Sequence, residues 1–130
     1  VILNVDPAGD VPIYQQLRDQ IVEAIADGVL TESSPLPTTR TLAADFGINF
    51  HTVNKAYDLL RRQGLIRLNR KTGAVVVATP ADPTFRAEWT ARARTLLAEA
   101  AARGWPADEV LATCQSVLDS FGSAQREDTP

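Results

Sequence analysis

The sequence predicts a mainly α-helical fold with one small β-hairpin, and three observations predict it. Apolar residues recur at three- and four-residue intervals in five stretches, which is the helical period. Two short β-rich runs, 65–68 and 74–77, flank a polar loop ending in Gly73, the pattern of a hairpin. Pro80, Asp82 and Pro83 mark a linker between that hairpin and the last two helices. The expected domains are therefore 1–78 and 79–130, with a frayed polar tail from about residue 123.

The elements follow in order. Residues 2–5 read as a short strand ended by Asp6, Pro7, Ala8 and Gly9. A first helix opens near Pro12, whose missing N–H suits a first turn, and Ile13, Leu17, Ile21 and Ile25 form its apolar stripe up to Gly28. After a loop at 31–37, Thr38 or Thr39 caps a short second helix with Leu42, Ala43 and Phe46 as its apolar face. Gly47 ends it, Ile48 follows as an apolar pin, and Asn49 caps a third helix. Two helices joined by about three residues including Gly make a helix-turn-helix. At about 100° per residue, Val53, Ala56, Tyr57 and Leu60 share one side of the third helix. His51, Lys55, Asp58 and Arg62 point the opposite way, and Asn54 lies on the flank. The hairpin comes next, with Arg70 and Lys71 at its tip; a helix-turn-helix followed by a basic hairpin is a winged helix.

In the appendage, Phe85, Trp89, Ala93, Leu96, Leu97 and Ala100 line a fourth helix that Gly104 ends. Val110, Leu111, Cys114, Val117, Leu118 and Phe121 line a fifth, opened by Pro106. Trp105 reads as an apolar staple at that start, and Cys114 as a small buried thiol. Two helices facing only each other cannot enclose this much apolar surface. Phe85, Trp89, Leu96, Leu97, Val110, Leu111, Val117, Leu118 and Phe121 are therefore expected to build a homodimer, with packing on the first helix as the competing account.

Composition narrows the function. The chain has 130 residues, 45% hydrophobic and 22% charged, with a formal charge of −3. No apolar run approaches the ~20 residues of a membrane helix. One cysteine and no basic, apolar leader before Val1 suggest the cytoplasm, and the lack of any Met suggests a chain trimmed at its start. The charges are segregated: between 55 and 71, Lys55, Arg61, Arg62, Arg67, Arg70 and Lys71 face Asp58 alone. Such a basic stretch suits nucleic acid, although a solvated surface carries the same residues. His51, the only histidine, has neither a second His nor clustered acids near it in sequence, so no metal, cofactor or enzyme activity is expected.

Four motifs in this order, "PIYQQL" (12–17), "LPTTRTLAADFGI" (36–48), "TVNKAYDLLRRQGLI" (52–66) and "NRKTGAVVV" (69–77), resemble the short YtrA-like branch of the GntR-type transcription regulators. They cover about the first 78 residues; the tail is similar only in length and in its two helices. The resemblance implies a repressor that binds a double-stranded, inverted-repeat operator as a homodimer, with any small-molecule effector left unidentified. It also implies DNA contact by Thr38, Arg40, Phe50, His51, Thr52, Asn54, Lys55, Arg70, Lys71 and Gly73. Two departures stand out. Glu32 and Ser33 occupy the sites where relatives carry Pro-Gly, which suggests a looser loop. Phe50 stands where relatives have Pro or a polar residue; its ring could touch a thymine methyl or fold back onto the second helix. A winged helix that binds protein instead of DNA is the alternative, supported by the acidic total charge and opposed by the basic stretch.

Overall fold

Helix α1 (Ile13–Ala26) turns its four-residue stripe inward, leaving Leu17 and Ile21 fully buried. Pro12 lies just before the first turn rather than in it. The computed structural model describes residues 3–69, 73–77 and 79–122. Their contacts cluster into two units, one built on Val1–Thr79 and the other on Pro80–Phe121.

Residues 3–5 form no strand, which corrects the sequence reading. The segment is extended, but its partner is a pair of glutamines one turn apart on α1. Gln20 accepts from the Asn4 N–H at 2.7 Å and donates back to the Asn4 carbonyl. Gln16 does the same for Asp6, at 2.7 and 2.9 Å. Two side-chain amides thus offer the backbone what a neighbouring strand would, and no ladder is needed.

Helices α2 (Thr39–Phe46) and α3 (Phe50–Arg62) follow, each capped from its own sequence. The Thr38 hydroxyl accepts from the Thr41 N–H at 3.1 Å, and the Asn49 side chain accepts from the His51 N–H at 2.8 Å. Gly47 adopts φ +62°, which lets the chain leave α2 sharply, and the Ile48 N–H returns to the Ala43 carbonyl at 3.0 Å. Open space surrounds Gly47 where a Cβ would stand, so the demand for glycine is conformational rather than steric. Val53, Ala56, Tyr57 and Leu60 are all buried, and α3 packs on both α1 and α2.

Strands β1 (Ile66–Asn69) and β2 (Gly73–Val76) pair antiparallel, with Ile66 opposite Val76 and Asn69 opposite Gly73. Ile66, Ala74 and Val76 join the core, and Leu30 and Leu36 close it from the loop before α2. That loop is not slack. Ser33 donates to the Val76 carbonyl at 2.8 Å, Val76 to the Ser34 carbonyl at 2.9 Å, and Leu36 to the Ala74 carbonyl at 2.9 Å. With Pro35 bridged to Val75, the loop forms a third, partial rung of the sheet. Ser33 accomplishes this at φ +70°, the only positive φ at a non-glycine among the described residues. The expectation of a looser loop is corrected: the site where relatives carry Gly still turns left-handed, and a serine is held there.

In the second unit, α4 (Pro83–Ala102) packs against α5 (Ala107–Ser120). Asp82 and Pro83 begin α4 rather than serving only as linker: the Asp82 carboxylate accepts from the Phe85 N–H at 2.8 Å, and Pro83 occupies the first turn. The Trp105 N–H closes the end of α4 on the Ala100 carbonyl at 3.0 Å. Neither helix contains a buried residue; packing of one helix on one other leaves most of each open. Cys114 is consequently exposed, against the expected buried thiol. Phe121 lies one residue past α5 with extended backbone, so it falls outside the helical stripe to which its spacing had assigned it.

Candidate nucleic-acid interface

The starts of α2 and α3 meet through side chains. Arg40, in the first turn of α2, is exposed and lays its guanidinium over the Phe50 ring, 5.7 Å from the centroid. Phe50 is half-buried against the core, and its ring is tilted 51° to that of His51 at a centroid distance of 4.8 Å. Arg40 has no carboxylate within ion-pair distance among the described residues. Both first turns lack acid, so two helix N-termini, each a partial positive charge, lie beside that cation.

Farther along α3, His51 and Lys55 are exposed while Thr52 and Asn54 are half-buried. The Lys55 ammonium sits over the Tyr14 ring of α1, 4.1 Å from its centroid, a contact between helices that spacing along one helix could not reveal. The C-terminal half of the same face is different. Asp58 accepts from Arg61 at 2.6 Å and from Arg62 at 2.9 Å. The Arg61 hydrogen bond, with Arg62 beside it, holds the Asp58 carboxyl below its usual range. The cations of α3 therefore divide: Lys55 on an aromatic face in front, Arg61 and Arg62 paired with a carboxylate behind.

Of the expected contact residues, the structure gathers Arg40, Phe50 and His51, and lines Thr52, Asn54 and Lys55 along α3. Thr38 is occupied as the α2 cap, and its hydroxyl also donates to Thr41 Oγ1 at 2.8 Å. Gly73 opens β2 at φ +77°. Arg70 and Lys71 lie outside the described residues, and Arg67 is exposed on β1. Two tyrosines outside the expected contact set shape the surface. Tyr14 seats Lys55, and the buried Tyr57 donates to the Pro37 carbonyl at 2.6 Å, tying the approach to α2 onto α3. Burial pushes the Tyr57 phenol up to about 12. Among the described residues no cluster of His, Cys, Asp and Glu could hold a metal ion, and no helix is long and apolar enough to cross a membrane.

Comparison with known proteins joins this geometry to a family. The profile of the bacterial regulatory proteins of the gntR family matches residues 13–76. The HTH-type transcriptional repressor YtrA of Bacillus subtilis is 35% identical over 75 residues, 58% of either chain, so the match spans little more than half of that curated relative. The structure of YtrA from Sulfolobus acidocaldarius, a GntR-family transcription factor, is 35% identical with a TM-score of 0.65, covering 78% of this chain and 99% of that one. The AraR DNA-binding domain in complex with operator ORX1 is 30% identical with a TM-score of 0.51, covering 58% of this chain and 93% of that one. A mainly helical chain with a winged helix-turn-helix and an extended match to YtrA belongs to the GntR family of transcription regulators, in its YtrA-like branch.

Proposed function

We propose that the chain is a sequence-specific transcription repressor of the cytoplasm, binding a double-stranded inverted-repeat operator as a homodimer. One observation carries the reading: an exposed arginine in the acid-free first turn of α2, with no carboxylate partner among the described residues, lies over the ring of Phe50 at the acid-free start of α3, where His51 and Lys55 are exposed. A solvated surface has no need of that arrangement; a phosphate or a guanine edge does. Helix α3 enters the major groove, where Thr52 and Asn54 reach base edges while Arg40, His51 and Lys55 reach bases or phosphates. Arg70, Lys71 and Gly73 of the wing loop meet the adjacent backbone. The AraR DNA-binding domain, similar to this chain and solved with its operator, supports DNA as the partner. The functional domains are 1–78 for DNA and 79–130 for dimerisation. The test is selection from a random double-stranded pool, followed by titration in salt. With about 6 to 10 phosphates neutralised per dimer, affinity falls ~10³- to 10⁵-fold between 50 and 200 mM salt. A flat salt response sinks the reading.

The dimer follows from what α4 and α5 leave uncovered. Phe85, Trp89, Leu96, Leu97, Leu111, Val117 and Leu118 are all more than two-fifths exposed, whereas Val110 and Phe121 are already half-covered. At ~1.5–3 kcal/mol per large side chain buried, a few of these suffice for association with a second copy. A chain ending at Ala81 is expected to stay folded, sediment as a monomer and lose most operator affinity. A full-length chain that is monomeric at micromolar concentration contradicts this part. The Asp58 clamp on Arg61 and Arg62 favours the second reading, a protein-binding winged helix, and the salt titration separates the two.

A further inference from the structure

Phe50 opens α3 at the border between its buried stripe and its polar face, and the resemblance leaves it two uses. Its surroundings select one. A ring available to a thymine methyl would stand clear of its own chain; Phe50 is half-buried and packs on the core. One side of it meets the Arg40 guanidinium at 5.7 Å, and the next residue, His51, leans on it at 4.8 Å. Arg40 is otherwise unheld. It is exposed, in the second position of its helix, with no carboxylate partner among the described residues. A long side chain in that condition loses rotamer freedom when it binds. An aromatic face attracts a guanidinium without neutralising it, so the full charge remains available to a phosphate or base.

We propose that Phe50 is a positioning residue: its ring preorganises Arg40, and secondarily His51, for the DNA, and does not itself touch a base. The proposal rests on the DNA-binding reading and adds a specific route by which one residue acts through another. The preorganisation spans the helix-turn-helix, since Arg40 belongs to α2 and Phe50 to α3. The aromatic identity of position 50 is therefore coupled to the arginine at 40, so losing the ring matters only while that arginine is present.

The experiment is a double-mutant cycle on DNA selected from a random pool by the unmodified protein. Phe50→Leu keeps an apolar side chain and removes the ring face; it is expected to weaken binding roughly 3- to 10-fold, the range of a cation–π contact. In an Arg40→Ala background the same change is expected to cost less than about 2-fold, because the group it served is gone. Phe50→Tyr keeps the face and restores affinity. Replacing each thymine of the selected DNA by deoxyuridine removes its methyl and is expected to affect the wild-type protein and the Phe50→Leu variant alike. Without DNA, the Arg40 guanidinium resonances lose their ring-current shift in Phe50→Leu, and thermal melting shows whether that variant is folded. Additive losses in the cycle overturn the proposal. So does a deoxyuridine effect confined to the protein with Phe50, or an unshifted Arg40 signal. A wild-type protein that selects no DNA is a different failure: it removes the DNA-binding reading and the proposal with it.

Discussion

Replacing Ser33 with glycine is expected to stabilise the N-terminal unit. Ser33 holds φ +70°, where an L-residue's Cβ crowds the following carbonyl at a cost of about 1–2 kcal/mol. Its N–H must stay, because it donates to the Val76 carbonyl at 2.8 Å and anchors the loop to β2. Its side chain is exposed and takes part in no hydrogen bond among the described residues, so removing the hydroxymethyl breaks nothing. Against the relief stands the extra freedom glycine gives the unfolded chain, about 0.5–1 kcal/mol. At the midpoints the net gain is about 0.75 kcal/mol, a rise in melting temperature of roughly 3–6 °C for a unit of this size. Tyr14 and Tyr57 both belong to the Val1–Thr79 unit and Trp89 and Trp105 to the other, so tyrosine difference absorbance follows the mutated unit. Protein concentration is held fixed because the proposed dimer couples melting to it. Ser33→Ala, which keeps the Cβ, is expected to show no rise. A Ser33→Gly protein melting at or below the wild-type temperature, or an equal gain in Ser33→Ala, refutes the strain argument.

Three further outcomes are expected. Because the Tyr57 phenol titrates at about 12 when folded and near 10 when unfolded, its contribution is whole below pH 10 and disappears as pH rises toward 12. Tyr57→Phe should cost about 1 kcal/mol at neutral pH and lose up to ~3 kcal/mol less across that interval, read by urea titration. Asp58→Asn should release Arg61 and Arg62 on each chain, raise affinity for random DNA and steepen the dimer's salt slope by up to about 4; an unchanged slope means the arginines never reach phosphate. Asn54→Ala should relax preference at a single base position, worth ~1–3 kcal/mol, and an equal loss on selected and random DNA would deny Asn54 that role.

What was legible in the sequence is what local chemistry decides. A cap at Thr38 or Thr39 and one at Asn49 could be read because a cap bonds within three residues of itself, the structure selecting Thr38, and the Gly47 turn because only glycine enters that conformation freely. Val53, Ala56, Tyr57 and Leu60 fell on one side by angle alone, and all are buried. What failed depended on partners distant in sequence. Residues 3–5 have the composition of a strand, but Gln16 and Gln20 supply the bonds. Cys114 follows the α5 stripe yet is exposed, since periodicity shows which side is apolar and not whether anything covers it. The aromatic supports of Arg40 and Lys55 each join two helices and were invisible to spacing along either one. The Asp58 clamp was within reach: carboxylate and arginines stand three and four residues apart, and counting Asp58 only as one charge among six cations missed its hold on two of them.

How an acidic chain offers a cationic face follows from the same arrangement. Physiological salt screens exposed charges beyond about 8 Å, so a net charge of −3 says little about the field at one helix end. At the front of α3 that field comes from Arg40, from Lys55 one turn along, and from two helix N-termini of roughly half a charge each. Supporting those cations on Phe50 and Tyr14 fixes their direction without cancelling them, as carboxylates would. Behind them Asp58 cancels part of what Arg61 and Arg62 would add, so the cation of α3 with no carboxylate partner among the described residues, Lys55, lies in its first two turns. In the proposed complex this gradient favours one mode of approach, with the start of α3 leading into the groove. A uniformly basic helix would bind phosphate equally well along its length and hold the duplex in many registers. Confining the charge sacrifices part of the non-specific affinity and leaves orientation to the residues that can read a base.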